Sequence, residues 1–185
     1  ITDEHGRSAL DFFKLWPDKS YFFSHDHQCF MAYKTAWSVA VGLGDPVGPE
    51  TELEDTVRAF LRFCADNGWS AAFHQVLPDL VPVYRRLGLQ VLKVGEEAVI
   101  DLERFNLLAA ERKEFRRARR RFQGEGYATV RYLPPHPPGL LDEIREVSDE
   151  WLSLPGRRER GFTMGRFERG YVGETPLFVL RDQAG

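Results

Sequence analysis

Near residue 51 the spacing of apolar residues changes from about two to about 3.6. Before it, residues 19–24, 28–35 and 37–43 are aromatic or β-branched runs separated by short polar turns, which predicts three strands in an antiparallel meander. After it, Leu53, Val57, Phe60, Leu61 and Cys64 recur at three- and four-residue intervals and stop at Asn67-Gly68, the pattern of a helix with a favourable C-terminal end. A strand over 70–76 follows, then a short helix over 80–87 ended by Gly88, and two strands over 89–94 and 98–102 about the turn Gly95-Glu96. Residues 9–16 read as the end of a helix stopped by Pro17. This order predicts an α/β (α+β) domain, a mixed sheet flanked by helices, closing near residue 105.

A second feature is electrostatic. From Arg112 to Arg121, seven of ten residues are Lys or Arg and one is Glu, a local charge of +6 in a chain of net charge −3, which leaves −9 for the remainder. The spacing predicts one helix over 107–123, with Leu108, Phe115, Ala118 and Phe122 on one face and Arg112, Lys113, Arg116, Arg117, Arg119, Arg120 and Arg121 over most of the rest. Six net positives on one helix repel one another, so beside the reading as a plain solvated helix the block points to a polyanion. Beyond Gly124 and Gly126 the pattern restarts with a strand over 127–133, a Pro-rich turn, a helix over 139–152, a Gly/Arg-rich stretch and a strand over 177–181. It reads as a second copy of a similar fold, broken off after its early strands. The domain reading is therefore 1–105, a basic connecting helix at 106–126, and the start of a second domain at 127–185.

Cys29 and Cys64 lie in apolar surroundings and read as buried reduced thiols rather than a disulfide or metal pair. No run approaches the roughly 20 apolar residues of a membrane span, and residues 1–10 lack the regions of a signal peptide. The chain starts at Ile1 and ends in FVLRDQAG after a strand-like run, so it reads as cut from something longer.

The stretch VYRRLGLQVLKVGEEAVIDL, a short helix leading into a paired-strand finish, resembles the closing part of a GNAT acyltransferase fold. More specifically, GLGDPVGPE at 42–50, KVGEEAVIDLERF at 93–105, RKEFRRA at 112–118 and GRRERGFTMGRF at 156–167 resemble, in that order, the soluble C-terminal domain of aminoacyl-phosphatidylglycerol synthases. These are the phosphatidylglycerol lysyltransferase type of the multiple peptide resistance factor family. The resemblance implies a tandem GNAT-like fold with a complete first repeat and a truncated second. It also implies a reaction: transfer of an amino acid, usually lysine or alanine, from aminoacyl-tRNA to the terminal hydroxyl of phosphatidylglycerol at the cytoplasmic face of the membrane. The family's later Asp-Leu-Met-Arg-type motif has no counterpart here, so this length of chain is expected to be inactive alone.

The resemblance places the family's functional Lys-x-x-Glu pair on Lys93 and Glu96, which become the catalytic candidates; Glu97 is the adjacent alternative. By spacing alone the pair also fits an exposed turn salt bridge of roughly 0–1 kcal/mol. Substrate phosphates call for Arg or Lys and the transferred amine for carboxylates, so the binding candidates are Glu97, Arg112, Arg116, Arg117, Arg120, Arg157, Arg158, Glu159 and Arg166. The last four sit among glycines, a context that equally suits a surface loop. No covalent intermediate is needed, and no Gly-x-Ser-x-Gly elbow is present. In GDPVG at 44–48, Asp45-Pro46 would set a negative charge and a missing N–H where a phosphate needs donors, so a structural turn is favoured. The loop by which acetylating GNAT enzymes hold coenzyme A is also missing, so neither acetyl-CoA nor another cofactor is expected. His25 and His27 lack a third ligand and no metal is expected; His74 and Trp151 read as core residues. Two other readings fit the residues: another GNAT-type enzyme such as an aminoacyl-tRNA-dependent peptide ligase, and a non-catalytic tRNA- or lipid-binding module.

Overall fold

The structure, a computed structural model, describes residues 1–162 and 165–183. Contacts divide the chain into two compact units: Ile1–Lys93 with Trp151–Arg166, and Val94–Glu150 with the residues from Phe167 onward.

The first unit is built on a four-stranded sheet in the order β1 (Ser20–Phe23), β2 (Phe30–Ala36), β3 (Val39–Leu43), β4 (Ser70–His74). β1, β2 and β3 form the antiparallel meander that the sequence predicts, and β4 runs parallel to β3. Short helices α1 (Thr2–His5) and α2 (Leu10–Phe13) precede the sheet; α3 (Leu53–Asp66) connects β3 to β4, and α4 (Val81–Arg86) follows. The alternation of β2 builds two cores. Met31 and Tyr33 point to one face, where they meet Phe60 and Cys64 of α3; Phe30 and Ala32 point to the other, against Val47. Phe22, Phe63, Trp69 and Phe73 surround the α3 face with edge-on and tilted ring contacts. Both cysteines are buried and unbridged.

The second unit holds α5 (Leu102–Glu111), α6 (Lys113–Gly124), β5 (Ala128–Tyr132), α7 (Leu140–Ser153, whose last turn belongs to the first unit), α8 (Arg169–Gly173) and β6 (Leu177–Arg181). β5 and β6 pair antiparallel, Ala128 opposite Arg181 through Tyr132 opposite Leu177.

Two expectations are corrected. Residues 89–101 form no strand, although the pattern predicts two. A strand exists by pairing with a neighbour; β4 pairs only with β3, and Leu92, Val94, Val99 and Ile100 stay exposed. The single helix over 107–123 is two helices, because Arg112 is extended (φ −75°, ψ 127°) where a helix needs a negative ψ. Arg116 secures the break: its Nη1 donates to the carbonyls of Ala110 (3.1 Å) and Glu111 (2.6 Å) at the end of α5. Phe105 and Phe115 pack edge-on at 5.7 Å across the same junction.

Candidate functional site

Gly44 and Gln75 follow directly on the C-terminal ends of the parallel strands β3 and β4, both at positive φ (62°). Here lies a buried polar cluster. Lys14, 1% exposed, donates from Nζ to Asp11 Oδ1 and to the Asp45 carbonyl, both at 2.5 Å. Asp45 in turn accepts from the Leu77 N–H through Oδ2 and from the Tyr84 hydroxyl through Oδ1, each at 2.9 Å. Asp11 Oδ2 accepts the backbone N–H groups of Arg7 (2.6 Å) and Ser8 (2.8 Å). Burial lowers the Lys14 ammonium pKa against the opposing pull of Asp11, and raises the Asp45 carboxyl against the hydrogen bonds from Leu77 and Tyr84. Burial, with the Asp45 charge beside it, pushes the Tyr84 phenol up.

The GDP turn is thus held by its own aspartate, which ties β3 to the segment leading into α4. The expected structural turn is what forms. A side chain at Gly44 would meet Lys14 Nζ at 3.5 Å, besides needing positive φ. The cluster leaves only a recess of about water size.

Beside it a cation–aromatic layer receives the GRRERGFTMGRF stretch, of which Thr163 and Met164 lie outside the described residues. The Arg166 guanidinium sits 5.8 Å from the Trp16 ring, and Lys19 Nζ lies 6.0 Å from Trp16 and 5.3 Å from Phe162. Phe162 is also 6.3 Å from the His74 ring. Lys19 donates to Asp18 Oδ1 at 2.5 Å, and Lys34 reaches Asp18 Oδ2 at 3.4 Å. Burial raises the Asp18 carboxyl, but the hydrogen bonds and charges of Lys19 and Lys34 prevail and hold it below the ordinary value. A β-carbon on Gly161 would stand 3.5 Å from Asp18 Oδ2, so the chain passes close to this carboxylate.

The other candidates fall as follows. Lys93, Glu96 and Glu97 are exposed in the segment without regular structure, not on a strand-end turn. Arg112 occupies the helix break and Arg116 caps α5, whereas Arg117 and Arg120 are exposed on α6. Arg157, Arg158 and Glu159 are exposed; Arg157 stacks 5.2 Å from the Trp151 ring, which is about half exposed and not a core residue. His74 is part-buried against Phe162 rather than enclosed in the core. Among the described residues no group of three His, Cys, Asp or Glu side chains is placed to hold a metal ion. The sequence reading passed over Asp11, Lys14, Asp18 and Lys19. Their signal was the interruption of DFFKLWPDKSYFF by single charges, each of which needs a partner once buried.

A family model described as phosphatidylglycerol lysyltransferase, C-terminal, matches residues 1–185. The chain belongs to this lysyltransferase C-terminal family. It is 32% identical to the phosphatidylglycerol lysyltransferase of Staphylococcus epidermidis over 185 residues, covering 100% of this chain and 22% of that protein. Its identity to the Staphylococcus aureus phosphatidylglycerol lysyltransferase is 32% over 183 residues, 99% of this chain and again 22% of the relative. The chain therefore spans about a fifth of the length of these curated family members. Among solved family structures, L-PGS from Bacillus licheniformis superposes with a TM-score of 0.91 at 32% identity, covering 100% of this chain and 58% of that one. The C-terminal domain of a putative lysylphosphatidylglycerol synthetase from Agrobacterium fabrum gives 0.83 at 32% identity, with 90% and 52% covered. The mixed sheet flanked by helices is thus an architecture shared with L-PGS.

Proposed function

We propose that this chain is part of an aminoacyltransferase that moves an amino acid, lysine, from aminoacyl-tRNA to the headgroup of phosphatidylglycerol at the cytoplasmic face of the membrane. The observation that carries this reading is the family match over the whole chain, supported by superposition on L-PGS. We read the chain as a first GNAT-like repeat (1–105), a basic connecting region (106–126) and the start of a second repeat (127–185).

The lipid hydroxyl oxygen attacks the ester carbonyl of the aminoacyl-tRNA. A new ester bond forms, the bond to the ribose oxygen breaks, and the proton of the lipid hydroxyl ends on that ribose oxygen. One ester replaces another, so the work of the protein is alignment and proton transfer. Glu96, or Glu97 beside it, takes the hydroxyl proton in this scheme, and Lys93 steadies the charge that develops on the carbonyl oxygen. Arg112, Arg117 and Arg120 hold phosphates of tRNA or lipid. Arg157, Arg158 and Arg166 of the GRRERGFTMGRF stretch serve the same purpose, with Glu159 for the amine of the transferred residue. Arg116 is assigned to positioning these groups, because its donors are committed to the end of α5.

Among the described residues no helix is long and apolar enough to cross a membrane. The lipid must then be met at the bilayer surface or through another part of the parent protein. Lipid extraction after incubating the full-length parent with charged tRNA and phosphatidylglycerol vesicles tests the reading. Aminoacylated phosphatidylglycerol is the expected product, and its absence rejects the proposal.

A further inference from the structure

β2 and β3 are joined by two residues, Trp37 and Ser38, with Ala36 opposite Val39. Trp37 sits at φ +57°, while Ser38 is not at positive φ, the sign pattern of a type II′ hairpin turn. Glycine dominates that position because an L side chain there is strained. Trp37 is also 100% exposed, so it adds nothing to the core. The other tryptophans of the chain touch neighbouring side chains: Trp69 packs on Tyr33 and Phe63, Trp16 on Phe13, and Trp151 under Arg157. At Trp37 the sequence accepts strain and exposes its largest apolar side chain, and folding explains neither choice.

The charges along this hairpin are selective. The chain has 28 acidic residues, yet none lies between His27 and Gly44. Lys34 is the one Lys or Arg of that hairpin, with a side chain 52% exposed and its Nζ 3.4 Å from Asp18. Thr35, Ala36 and Ser38 at the tip are exposed, small and uncharged. An indole projecting beyond small neutral residues, with a cation set back from it, matches the layering of an anionic bilayer surface. There aromatic rings settle at headgroup level and lysines meet the lipid phosphates.

We infer that the β2–β3 tip is a membrane-interface anchor: Trp37 enters the headgroup region of an anionic phospholipid surface, with Lys34 behind it. This rests on the reading that the acceptor is a bilayer lipid, and adds where the domain touches that bilayer.

The test is co-flotation of the 185-residue chain with phosphatidylglycerol–phosphatidylcholine vesicles, together with quenching of tryptophan fluorescence by lipids brominated on their acyl chains. Trp37→Gly relieves the turn, so it melts at or above the wild-type temperature while partitioning about tenfold more weakly. Trp37→Phe keeps most of the binding, and Trp37→Gly loses the bromine quenching seen in wild type. Wild-type protein that does not float, or a glycine variant that floats and quenches like wild type, overturns the inference. So does a glycine variant that loses tRNA binding, or a concentration-dependent dimer, while keeping its vesicle affinity; the tip would then stack on a nucleobase or a second copy. Because partitioning is measured without turnover, a chain that floats through Trp37 from a parent that aminoacylates no lipid would sink the proposed reaction and leave the anchor standing.

Discussion

The Tyr84 hydroxyl donates to Asp45 Oδ1 at 2.9 Å, binding the turn after β3 to α4, 39 residues later in the chain. The other oxygen of the same carboxylate takes the Leu77 N–H, so one buried aspartate organises two loops at the end of the parallel strand pair. Removing the carboxylate leaves both donors unpaired inside the protein. Asp45→Ala is expected to cost about 3 kcal/mol and Tyr84→Phe about 1 kcal/mol, read from urea unfolding midpoints at constant slope. Equal, near-zero effects would show that water replaces the network freely.

Lys14 presents the same problem with opposite charge. Lys14→Met removes a buried ammonium but strands one oxygen of Asp11 and the Asp45 carbonyl, with a loss of about 3 kcal/mol. The double variant Lys14→Met/Asp11→Leu loses less than the sum of the singles, because each single change leaves the other group uncompensated. Additive losses in thermal unfolding would contradict the pairing.

Asp18 sets an acid dependence. Its unfolded carboxyl titrates near 3.8 and its folded one lower, so its contribution is present above that value and is lost as pH falls through the folded pKa. Asp45 acts in the reverse sense: its folded pKa is raised, so its contribution is present below 3.8 and is lost as pH rises through the folded value. Asp18→Asn is therefore expected to lose stability less steeply than wild type between about pH 4 and pH 2. Melting temperatures across that range provide the check, and parallel curves would remove Asp18 from the acid limb.

The two classes of arginine on the basic segment separate by assay. Arg116→Ala frees the carbonyls of Ala110 and Glu111 and is expected to lower helicity and melting temperature. Arg117→Ala/Arg120→Ala touches only exposed side chains; it leaves the melt unchanged and reduces the salt dependence of polyanion binding by a slope of about two. A binding loss without a stability change in Arg116→Ala would reverse the assignment.

Lys93→Ala and Glu96→Ala lie in an exposed stretch and are expected to leave circular dichroism and unfolding of the full-length parent unchanged, while lowering its lipid aminoacylation by at least about a hundredfold. Retained turnover would return both residues to an ordinary surface role.

Local periodicity already determined much of this protein. The meander of β1 to β3, the apolar stripe of α3, β4, α4, β5, α7 and β6 are all legible in residue spacing, because the backbone dictates the period at which side chains share a face. The four motifs carried the family, and the GDP turn was recognisable as structural from its own chemistry. What spacing left undecided was partnership. The apolar alternation at 89–101 suits a strand, yet a strand forms only where an edge receives it. Arg112 to Arg121 is uniform in sequence, but one arginine is spent on capping a broken helix and its neighbours stay exposed. Lys14 and Lys19 find their carboxylates nearby, in Asp11 and Asp18, but folding encloses these pairs and adds the Asp45 carbonyl, Lys34 and the Phe162 ring from elsewhere in the chain. A neighbouring residue can supply the opposite charge, but the burial of the pair and the further groups that satisfy it belong to the tertiary structure.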